Sequence, residues 1–555
     1  MAQQKKTYLY RCFEIIPGAC TWFTFLAAGL FSYYKPAWVA FFIIMFDLYW
    51  LMKAINIAFH LIFTYRKISL HSGYDWQQRC EGLSSVSGLV EELSRKLLRE
   101  KRRLTREDLS NEIEKLKQLL KTLSSVDYRS MVHAVIVPFV YEPEEVLINS
   151  INSYLACNYP KDRMILVLAC EERSGKHAER VAQTVRQHYQ GKFWHVLTPR
   201  HPDGIEGEAK TKGANISYAA RELRQLVDTL KIPYENVIVS AFDADTVVRC
   251  DYFAQLTYTF LTAQNPTRAS YQPIPLYNNN VWDAPAFNRL VAINSSFWQM
   301  VESSRSDRLV TFSSHSMSFK TLVEVDYWPV DVISEDSQIF WRCFLHYEGN
   351  YRTEPLFTTV SLDAVVLGSY FKSLVGQYKQ NRRWAWGIVD FPYLLNGFRK
   401  HTRLPLWKKF FYSYRLFEGH YFWATAAVVI AVLGWLPLFL GGSRFDNQVF
   451  ANNLPQVTGT IMTVSTFFLI FFVVLYFTLL PKRPKAASKL NTLVMAVQWI
   501  FVPISSIFFG AIPAIDAQTR LLLGKYMEFW VTPKVRKNVL GEKPTANSFD
   551  VSSGP

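Results

Sequence analysis

The sequence predicts an α/β protein in which a mostly parallel sheet, with helices on both faces, is flanked by transmembrane α-helices. Two observations predict this fold class. Between residues 131 and 242, short β-rich runs alternate with helical segments, an order typical of parallel sheets covered by helices. Long apolar stretches lie on either side of the polar middle of the chain. With 555 residues, the chain is long enough for a large soluble domain and several membrane spans.

The composition favours a membrane protein over a nucleic-acid-binding one. Half of the residues are hydrophobic, and the net charge is +15. The basic residues cluster beside apolar runs, which is typical of cytosolic loops next to a membrane. Examples are Arg66-Lys67, Lys408-Lys409 and Lys482-Arg483. The seven cysteines show no C-x-x-C spacing, so we expect reduced thiols facing the cytosol, and no cleavable signal peptide is expected.

Residues 17–34 and 36–58 are apolar stretches of about the 20 residues that a helix needs to cross a bilayer. Asp47 lies inside the second stretch, where it either faces a protein or water-lined interior or is lifted towards the interface. Residues 66–129 predict a cytosolic helical insertion, because 85–125 combine helical apolar spacing with mixed charges. This helical hairpin is either a regulatory or dimerising element or a plain solvated surface.

The middle of the chain carries the α/β pattern. The predicted strands are MVHAVIVP (131–138), RMILVLA (163–169), KFWHVL (192–197) and NVIVSAF (236–242), with helices at 144–155, 176–189 and 207–230. In such a sheet, ligands bind at the carboxyl ends of the strands.

Three further apolar stretches follow, at 420–440, 457–480 and 491–515. The basic run PKRPKAASK (481–489) after the second is expected in the cytosol. Pro503 and Pro513 interrupt the last stretch, so a full crossing and a re-entrant segment both stay open. The end, GEKPTANSFDVSSGP (541–555), is predicted to be disordered.

These patterns divide the chain into six parts. They are an N-terminal region with two transmembrane helices (1–65), the helical insertion (66–129), the catalytic domain (130–365), amphipathic interfacial helices (366–417), a C-terminal transmembrane region (418–516) and a basic, partly disordered tail (517–555).

The strongest signal of chemistry is Asp243-Ala-Asp245, directly after the apolar run 237–241. Two carboxylates spaced by one residue at the end of a strand can both face a divalent cation. Such a cation prefers oxygen ligands and can bridge a diphosphate. An Asp-rich turn before the next helix would give the same pattern, so this motif alone leaves both interpretations open.

A second acidic motif is Ser334-Glu335-Asp336, which precedes a helical run. An acid at this point can cap the helix, and it is also well placed beside a substrate. The two roles are compatible.

The third motif is Gln380-Asn-Arg-Arg383-Trp384. On a helix its first, fourth and fifth residues share one face. Arginine offers a planar set of donors to phosphate oxygens, and an indole offers a stacking surface for a sugar ring. Taken alone, the surrounding run 370–388 is also typical of a helix at the membrane surface.

Together the motifs resemble the signature of the processive family-2 glycosyltransferases, the group of cellulose, chitin and hyaluronan synthases. That signature runs D, D-x-D, T-E-D and Q-x-x-R-W, with membrane helices on both sides of the catalytic domain. The resemblance covers roughly residues 130–400 and the flanking helices, and it implies a GT-A-like sheet. The matching residues, in the same order, are Asp243-Ala-Asp245, Ser-Glu335-Asp336 and Gln380-x-x-Arg383-Trp384.

The resemblance implies an inverting, metal-dependent transfer of sugar. Asp245 would be the ligand of Mg²⁺ or Mn²⁺ at the donor diphosphate, and Asp243 would support both nucleotide and metal binding. Asp336 would be the general base that deprotonates the acceptor hydroxyl, with Glu335 beside it in the catalytic pair.

By the same resemblance, Gln380 and Arg383 would contact the leaving diphosphate, and Trp384 would line the acceptor site.

Two further segments match the family pattern less closely. Glu142 in VPFVYEP (137–143) would lie near the nucleotide, and Lys212 in Lys212-Gly-Ala-Asn would contact the nucleotide or its phosphates. An exposed Glu and an exposed Lys would explain them equally well.

The sequence also departs from the family pattern. The second strand ends in Cys-Glu171-Glu, where the family usually has Asp-Asp near the nucleotide base. Glu171 would take the place of these aspartates beside the nucleotide. The acceptor-side segment TFSSHSMSFK (311–320) lacks the usual Gly and twin Arg, which weakens any inference about acceptor and processivity. His315 in this segment is expected to be a hydrogen-bonded structural residue.

We therefore expect a multi-pass plasma-membrane enzyme with a cytosolic catalytic domain that transfers sugar from a nucleotide sugar, expected to be a UDP-sugar, to a growing polysaccharide coupled to export. Transfer of one sugar to a lipid or short glycan is the alternative within the same class. A non-catalytic scaffold or transport component is the alternative from another class. Expected partners are the donor, a glycan or lipid acceptor, the membrane, and a second copy or an export subunit, but no nucleic acid.

Overall fold

The computed structural model describes residues 7–446, 449–484 and 489–530, which contain a nine-stranded mixed sheet. The strands are β1 (Val132–Phe139), β2 (Met164–Glu171), β3 (His195–Leu197), β4 (Arg200–His201), β5 (Val237–Ala241), β6 (Val247–Val248), β7 (Ala269–Leu276), β8 (Ser316–Ser318) and β9 (Arg352–Ser361).

The sheet is parallel in its first half and mixed in its second. The strand order is β3-β2-β1-β5-β8-β7-β9-β6, and β4 also pairs with β2. The pairs among β1, β2, β3, β4 and β5, and the pair β7-β9, are parallel, whereas β8 runs antiparallel to both β5 and β7, and β6 to β9. Because β8 reverses between them, β5 and β7 end at the same edge.

The central strands are buried on both faces, as the uninterrupted apolar runs indicate. Successive residues of β1 point to opposite sides of the sheet. Val135 and Val137 belong to one hydrophobic core, whereas Ala134 and Ile136 belong to the other. Helices cover both cores.

The chain enters through α1 (Tyr8–Tyr34) and α2 (Pro36–Ser72). α2 is one continuous helix of 37 residues, so the predicted boundary between 65 and 66 falls inside it. Of the two alternatives for Asp47, the structure has the buried one, with the residue only 3% exposed.

A helical hairpin follows, where residues 85–125 predicted one. It is fastened to α2 and to the catalytic domain by buried polar groups. Asp108 accepts hydrogen bonds from Lys67 and, at 2.9 Å, from Tyr74. Glu112 accepts from Arg79 at 2.8 Å and from Tyr258 at 2.6 Å. The hairpin consists of α4 (Val86–Arg99) and α5 (Arg103–Leu120), and α3 (Trp76–Gly82) precedes it.

Seven helices belong to the catalytic domain. They are α6 (Glu144–Leu155), α7 (Gly175–Tyr189), α8 (Lys212–Thr229), α9 (Tyr252–Thr262), α10 (Ala286–Ser303), α11 (Phe319–Glu324) and α12 (Glu335–His346). The predicted helices at 144–155 and 176–189 coincide with α6 and α7. The third begins at Lys212 rather than 207, because Thr211 caps it by accepting from the Ala214 N–H at 3.4 Å.

After β9, all regular elements of the described residues are helices. Its helices are α13 (Tyr370–Ala385), α14 (Asp390–Lys400), α15 (Leu406–Ala431), α16 (Leu436–Leu440), α17 (Gly442–Asp446), α18 (Val449–Leu479), α19 (Lys489–Val497), α20 (Val502–Ser505) and α21 (Ile512–Leu522), with a π turn at Ser506–Ala511. α15 is continuous through 417–418, so the predicted boundary between 417 and 418 falls inside it. The predicted disordered end, 541–555, lies outside the described residues.

In the part of the chain that the structure describes, four helical stretches are long and apolar enough to cross a membrane. They are Tyr8–Tyr34, Pro36–Ser72, Ala451–Leu479 and Leu490–Leu522. Leu406–Ala431 and Leu433–Leu440 together make a fifth, bent by 44°. The predicted fold class, a mostly parallel sheet covered by helices and flanked by apolar helices, is confirmed.

Helices α2 and α18 lie side by side and run in the same direction. Ala40 packs in one cluster with Leu454, near the start of each helix. Leu61 packs in another with Leu475 and with Ile274 of β7, near their ends. The later ends of both helices therefore contact the catalytic domain.

The last apolar segment, Leu490–Leu522, contacts the catalytic domain in its first part and helix α13 near its end. Trp282 also donates to the Pro481 carbonyl oxygen at 3.3 Å, just before this segment. The contacts along it are Arg289 to Gln498 at 2.9 Å, Phe287 to Phe509 at 5.7 Å between ring centroids, and Arg382 to Asp516 at 2.9 Å.

Candidate active site

The Asp243-Ala-Asp245 turn follows β5 at the carboxyl end of the sheet. Asp245 is buried, its Oδ2 accepts from the Asp363 N–H at 2.8 Å, and its carbonyl oxygen accepts from Asn279 at 2.9 Å. Asp243 is more open, and its Oδ2 accepts from the Ser313 hydroxyl at 2.5 Å. The turn thus presents one rigidly held carboxylate and one accessible carboxylate on the same edge.

Lys212 joins the two acidic motifs. Its Nζ lies 2.8 Å from Asp243 Oδ1 and 3.1 Å from both carboxylate oxygens of Asp336. Glu335 lies 3.7 Å from the same nitrogen. Burial disfavours the charged form of Lys212. Attraction to the three carboxylates outweighs this effect and holds the pKa of Lys212 well above its usual range. One ammonium group therefore ties together carboxylates that are distant along the chain.

The Ser334-Glu335-Asp336 motif forms the start of α12. Asp336 is partly exposed, and its carbonyl oxygen accepts from Thr311 at 2.6 Å. Glu335 is buried, and its pKa is raised by burial and by the neighbouring Asp336 charge. Asp336 is therefore the carboxylate of this pair that solvent or a substrate can reach.

The approach of α8 to α12 requires a glycine after Lys212. A Cβ on Gly213 would lie 2.2 Å from the Pro329 carbonyl oxygen and 2.9 Å from the Glu335 Cβ. Real Cβ atoms do not come this close to backbone, so a larger residue must push the helices apart and separate Lys212 from Asp336.

Gly213→Ala is expected to destabilise the protein by about 1–3 kcal/mol and to lower any turnover at this site, because it overpacks the contact. The change in melting temperature and the rate measure the two effects. Gly459→Ala is the matched control, since no described atom lies within 4 Å of the Cβ it adds. Equal behaviour of the two variants would contradict the close-approach argument.

The Gln380-x-x-Arg383-Trp384 motif lies on α13, as expected. Trp384 packs against Tyr277 with ring centroids 5.7 Å apart, and Arg383 lies 5.2 Å from the Phe529 ring. Gln380 accepts from a neighbouring glutamine of the same helix at 3.2 Å.

Tyr277 shows that the three motifs converge. It follows β7 directly, at the edge where β5 also ends. Burial is the main cause that raises its pKa, followed by the charges of Asp243, Asp245 and Asp336, while Arg383 acts in the opposite direction. The charges of all three motifs thus act on one phenol, and Trp384 of the third motif contacts it directly.

The two glutamates predicted near the nucleotide are engaged within their own loops. Glu142 accepts from the N–H groups of Val140 at 2.7 Å and Tyr141 at 3.1 Å. Glu171 is buried at the end of β2 and accepts from Arg173 at 2.9 Å. Burial raises the pKa of Glu171 despite this arginine. Neither glutamate contacts the cluster around Lys212 directly.

The structure adds residues that sequence reasoning missed. Thr311 and Ser313 contact the acidic motifs, although their segment departs from the family pattern. Asn279 and Tyr277 follow β7, and Phe529 lies against the arginine of α13. No local sequence signal marks these residues, because β7, which positions Asn279 and Tyr277, is not among the predicted strands. His315 is a buried, hydrogen-bonded residue, as expected, donating from Nδ1 to the Phe312 carbonyl at 2.8 Å.

The residues at the turn suit a hard divalent cation in their chemistry. Asp243 and Asp245 supply carboxylate oxygens, which Mg²⁺ and Mn²⁺ prefer. Among the described residues, no group of three or more His, Cys, Asp or Glu side chains is arranged to hold a metal by itself. Any cation bound here would therefore need further ligands from a substrate or water.

Residues 238–481 match the family described as "Glycosyl transferase family group 2". This stretch is less than half of the chain, but it contains all three motifs. The match supports a family-2 glycosyltransferase. No curated protein matches the sequence at a significant level.

Solved glycosyltransferases are similar to this chain at low identity. A mannosyltransferase from Pyrobaculum calidifontis, in complex with GDP-Man and Mn²⁺, is 13% identical over 80% of this chain and 100% of its own, with a TM-score of 0.38. S. aureus TarS 1–349, in complex with UDP-GlcNAc, is 12% identical over 72% of this chain and 94% of its own, with a TM-score of 0.34.

Proposed function

We propose that the chain is an inverting membrane glycosyltransferase that transfers sugar from a nucleotide sugar, expected to be a UDP-sugar, to a growing polysaccharide and couples this to export. The observation that carries the proposal is the contact of Lys212 with both Asp243 and Asp336. It joins the carboxylate expected at the donor to the carboxylate expected at the acceptor. The family match over all three motifs supports the same reaction class.

In this reaction Asp336 accepts the proton of the acceptor hydroxyl. The oxygen so activated forms a bond to the anomeric carbon, and the bond from that carbon to the diphosphate breaks on the opposite face. The nucleoside diphosphate leaves with the bonding electrons. Thr311 and Lys212 hold Asp336 in place, which favours the in-line geometry that such a displacement needs.

Donor binding would use the other charged groups of the site. Asp245 and Asp243 would hold Mg²⁺ or Mn²⁺, which when bound neutralises charge on the diphosphate. Arg383 and Gln380 would contact the leaving diphosphate, and Lys212 would add a further cation beside it. Trp384, packed on Tyr277, would line the acceptor site. Glu142 and Glu171 would lie near the nucleotide at the ends of β1 and β2.

We place the enzyme in the plasma membrane with its catalytic domain in the cytosol. The start of α1, the ends of α2 and α18 and the start of α15 would all face the cytosol, where the basic residues of the loops favour them. The last apolar segment would not cross, since it contacts the catalytic domain at Gln498 and helix α13 at Asp516. Of the two alternatives for this segment, these contacts favour the one that stays on the cytosolic side.

The proposal is tested by incubating the purified protein in membranes with radiolabelled UDP-glucose, UDP-N-acetylglucosamine and GDP-mannose. We expect one of these donors to release nucleoside diphosphate and to label a high-mass product. A lipid-sized product would instead show that the enzyme transfers a single sugar and does not extend a polysaccharide. Failure to cleave any nucleotide sugar in a wider panel would overturn the proposed function and favour a non-catalytic scaffold.

Removal of divalent cations is expected to abolish turnover, because two carboxylates would face the donor diphosphate without the cation that neutralises it. Activity is measured in EDTA and after adding Mg²⁺ or Mn²⁺ back. Asp245→Asn is expected to raise the cation concentration needed for half-maximal rate. Full activity in EDTA would contradict the assigned role of Asp243 and Asp245.

A further inference from the structure

Asp390, the first residue of α14, is a buried carboxylate that none of the three motifs contains. It is 1% exposed. Its Oδ1 accepts from the Ser334 hydroxyl at 3.1 Å and from Gln338 Nε2 at 3.2 Å, and its Oδ2 accepts from the Ser337 hydroxyl at 2.6 Å. All three donors belong to the first turn of α12 or cap it. One carboxylate therefore gathers every donor side chain at this helix start.

These donors flank the residues that carry the proposed chemistry. Ser334, Ser337 and Gln338 stand at i, i+3 and i+4, so they share one face of the turn. Glu335 and Asp336 lie between them in sequence and point instead towards Lys212. On the side that faces Lys212, the turn is also held by a hydrogen bond from Thr311 to the carbonyl oxygen of Asp336. The orientation of the turn is thus set from two directions.

We propose that Asp390 is a positioning residue for glycosyl transfer: by binding the three donors of the α12 first turn, it sets the direction in which Asp336 faces the acceptor. This inference rests on the function proposed above. It also links two motifs physically, because Asp390 follows the Gln-x-x-Arg-Trp helix after a single turn, Trp386–Val389. The diphosphate-contacting helix and the base-bearing helix are then parts of one unit.

The charge of Asp390 matters for this role, since the carboxylate form accepts from all three donors at once. Burial, against these hydrogen bonds, raises the pKa of Asp390 to about 7. The ionisable groups whose charges interact with Asp390 are Tyr10 of α1 and Tyr393 of α14 itself, and these two tyrosines also interact with Glu14, Asp331, Arg342, Cys343 and Tyr526. Near neutral pH, Asp390 therefore changes between the charged carboxylate, which accepts from all three donors, and the protonated acid, which does not.

Stability and turnover are expected to respond to this change with opposite signs. The folded-state pKa of Asp390 lies above its ordinary value, so protonation favours the folded protein at low pH and this contribution is lost as the pH rises through about 7. Turnover gains over the same interval, because the charged carboxylate orients Asp336. If Asp390 had only a structural role, stability and turnover would not change in opposite directions with pH.

The test compares Asp390→Asn with wild type, using the nucleotide sugar that wild type cleaves fastest in the panel above. Asparagine keeps the shape but not the charge. We expect kcat to fall about 10- to 100-fold, as for a slightly misplaced catalytic group, with KM for the donor within about twofold. The ratio of wild-type to variant kcat should grow as the pH rises through about 7. Ser337→Ala, which removes the shortest of the three bonds, should give a smaller loss of the same kind and serves if Asp390→Asn does not fold.

Asp108→Asn is the matched control. Asp108 is also a hydrogen-bonded carboxylate with little exposure, but it lies in the helical hairpin. Its replacement is expected to lower the melting temperature and to leave kcat unchanged. Wild-type kcat in Asp390→Asn, or a ratio that does not vary with pH, would overturn the positioning role alone. A wild-type protein that cleaves no nucleotide sugar would overturn the proposed function and this role with it.

Discussion

Asp336→Asn is expected to lower the rate of sugar transfer by about 10²- to 10⁴-fold, because the variant cannot take up the proton of the acceptor hydroxyl. The fold should survive, since asparagine is isosteric and the carbonyl of residue 336 still accepts from Thr311. The measurement is release of nucleoside diphosphate by purified protein under saturating donor, together with donor affinity by equilibrium binding.

Asp326→Asn provides the control for this variant. Asp326 is a surface carboxylate, 71% exposed, that lies 3.3 Å from Arg221 and 3.9 Å from Arg342. Its backbone has a positive φ of 56°, which asparagine adopts readily. We expect its turnover to equal that of wild type. Unchanged turnover in Asp336→Asn would remove Asp336 from the role of general base.

Lys212→Met is expected to be the most disruptive single change in the site. It leaves Asp243, Glu335 and Asp336 close together without their shared cation, and loss of one partner of a buried ion pair costs about 3–5 kcal/mol. Turnover should fall below detection, since the donor carboxylate and the base then repel each other. Thermal unfolding in detergent and the rate of nucleotide release measure the two effects.

The loss of stability in Lys212→Met is expected to become smaller as the pH falls. The pKa of Glu335 is raised to about 8, chiefly by burial, so protonation removes one of the charges below that pH and the stabilisation so gained is lost as the pH rises through about 8. Lys210→Met is the control, since Lys210 is 63% exposed and pairs with surface Asp203 at 2.9 Å. A loss of melting temperature in Lys212→Met no larger than in Lys210→Met would contradict the bridging role.

The first half of the sheet could be predicted from sequence because its strands are uninterrupted apolar runs. β1, β2 and β5 coincide with the predicted segments. The second half could not, since β8 has three residues and β7 contains two prolines, Pro273 and Pro275. Such strands are stabilised by their partners in the sheet and not by a local pattern.

The acidic motifs could be found because each follows a strand or begins a helix, where a short pattern of residue types is itself informative. Lys212 was only a soft candidate, since nothing local distinguishes a lysine at a helix start from an exposed one. Asp390 and Tyr277 could not be found at all. Their positions depend on the packing of α14 on α12 and of β7 beside β5, which long-range contacts determine.

The length of α2 has a mechanical consequence. Its 37 residues extend over about 55 Å, whereas the hydrocarbon core of a bilayer is only about 30 Å thick. In the membrane orientation proposed above, the remainder would extend into the cytosol as a stiff helix, held by Lys67 to the hairpin and by Leu61 to the hydrophobic cluster that contains Ile274 of β7. Because no flexible linker intervenes, any tilt that α2 adopts in a thinner or thicker bilayer reorients the carboxyl edge of the sheet by the same angle.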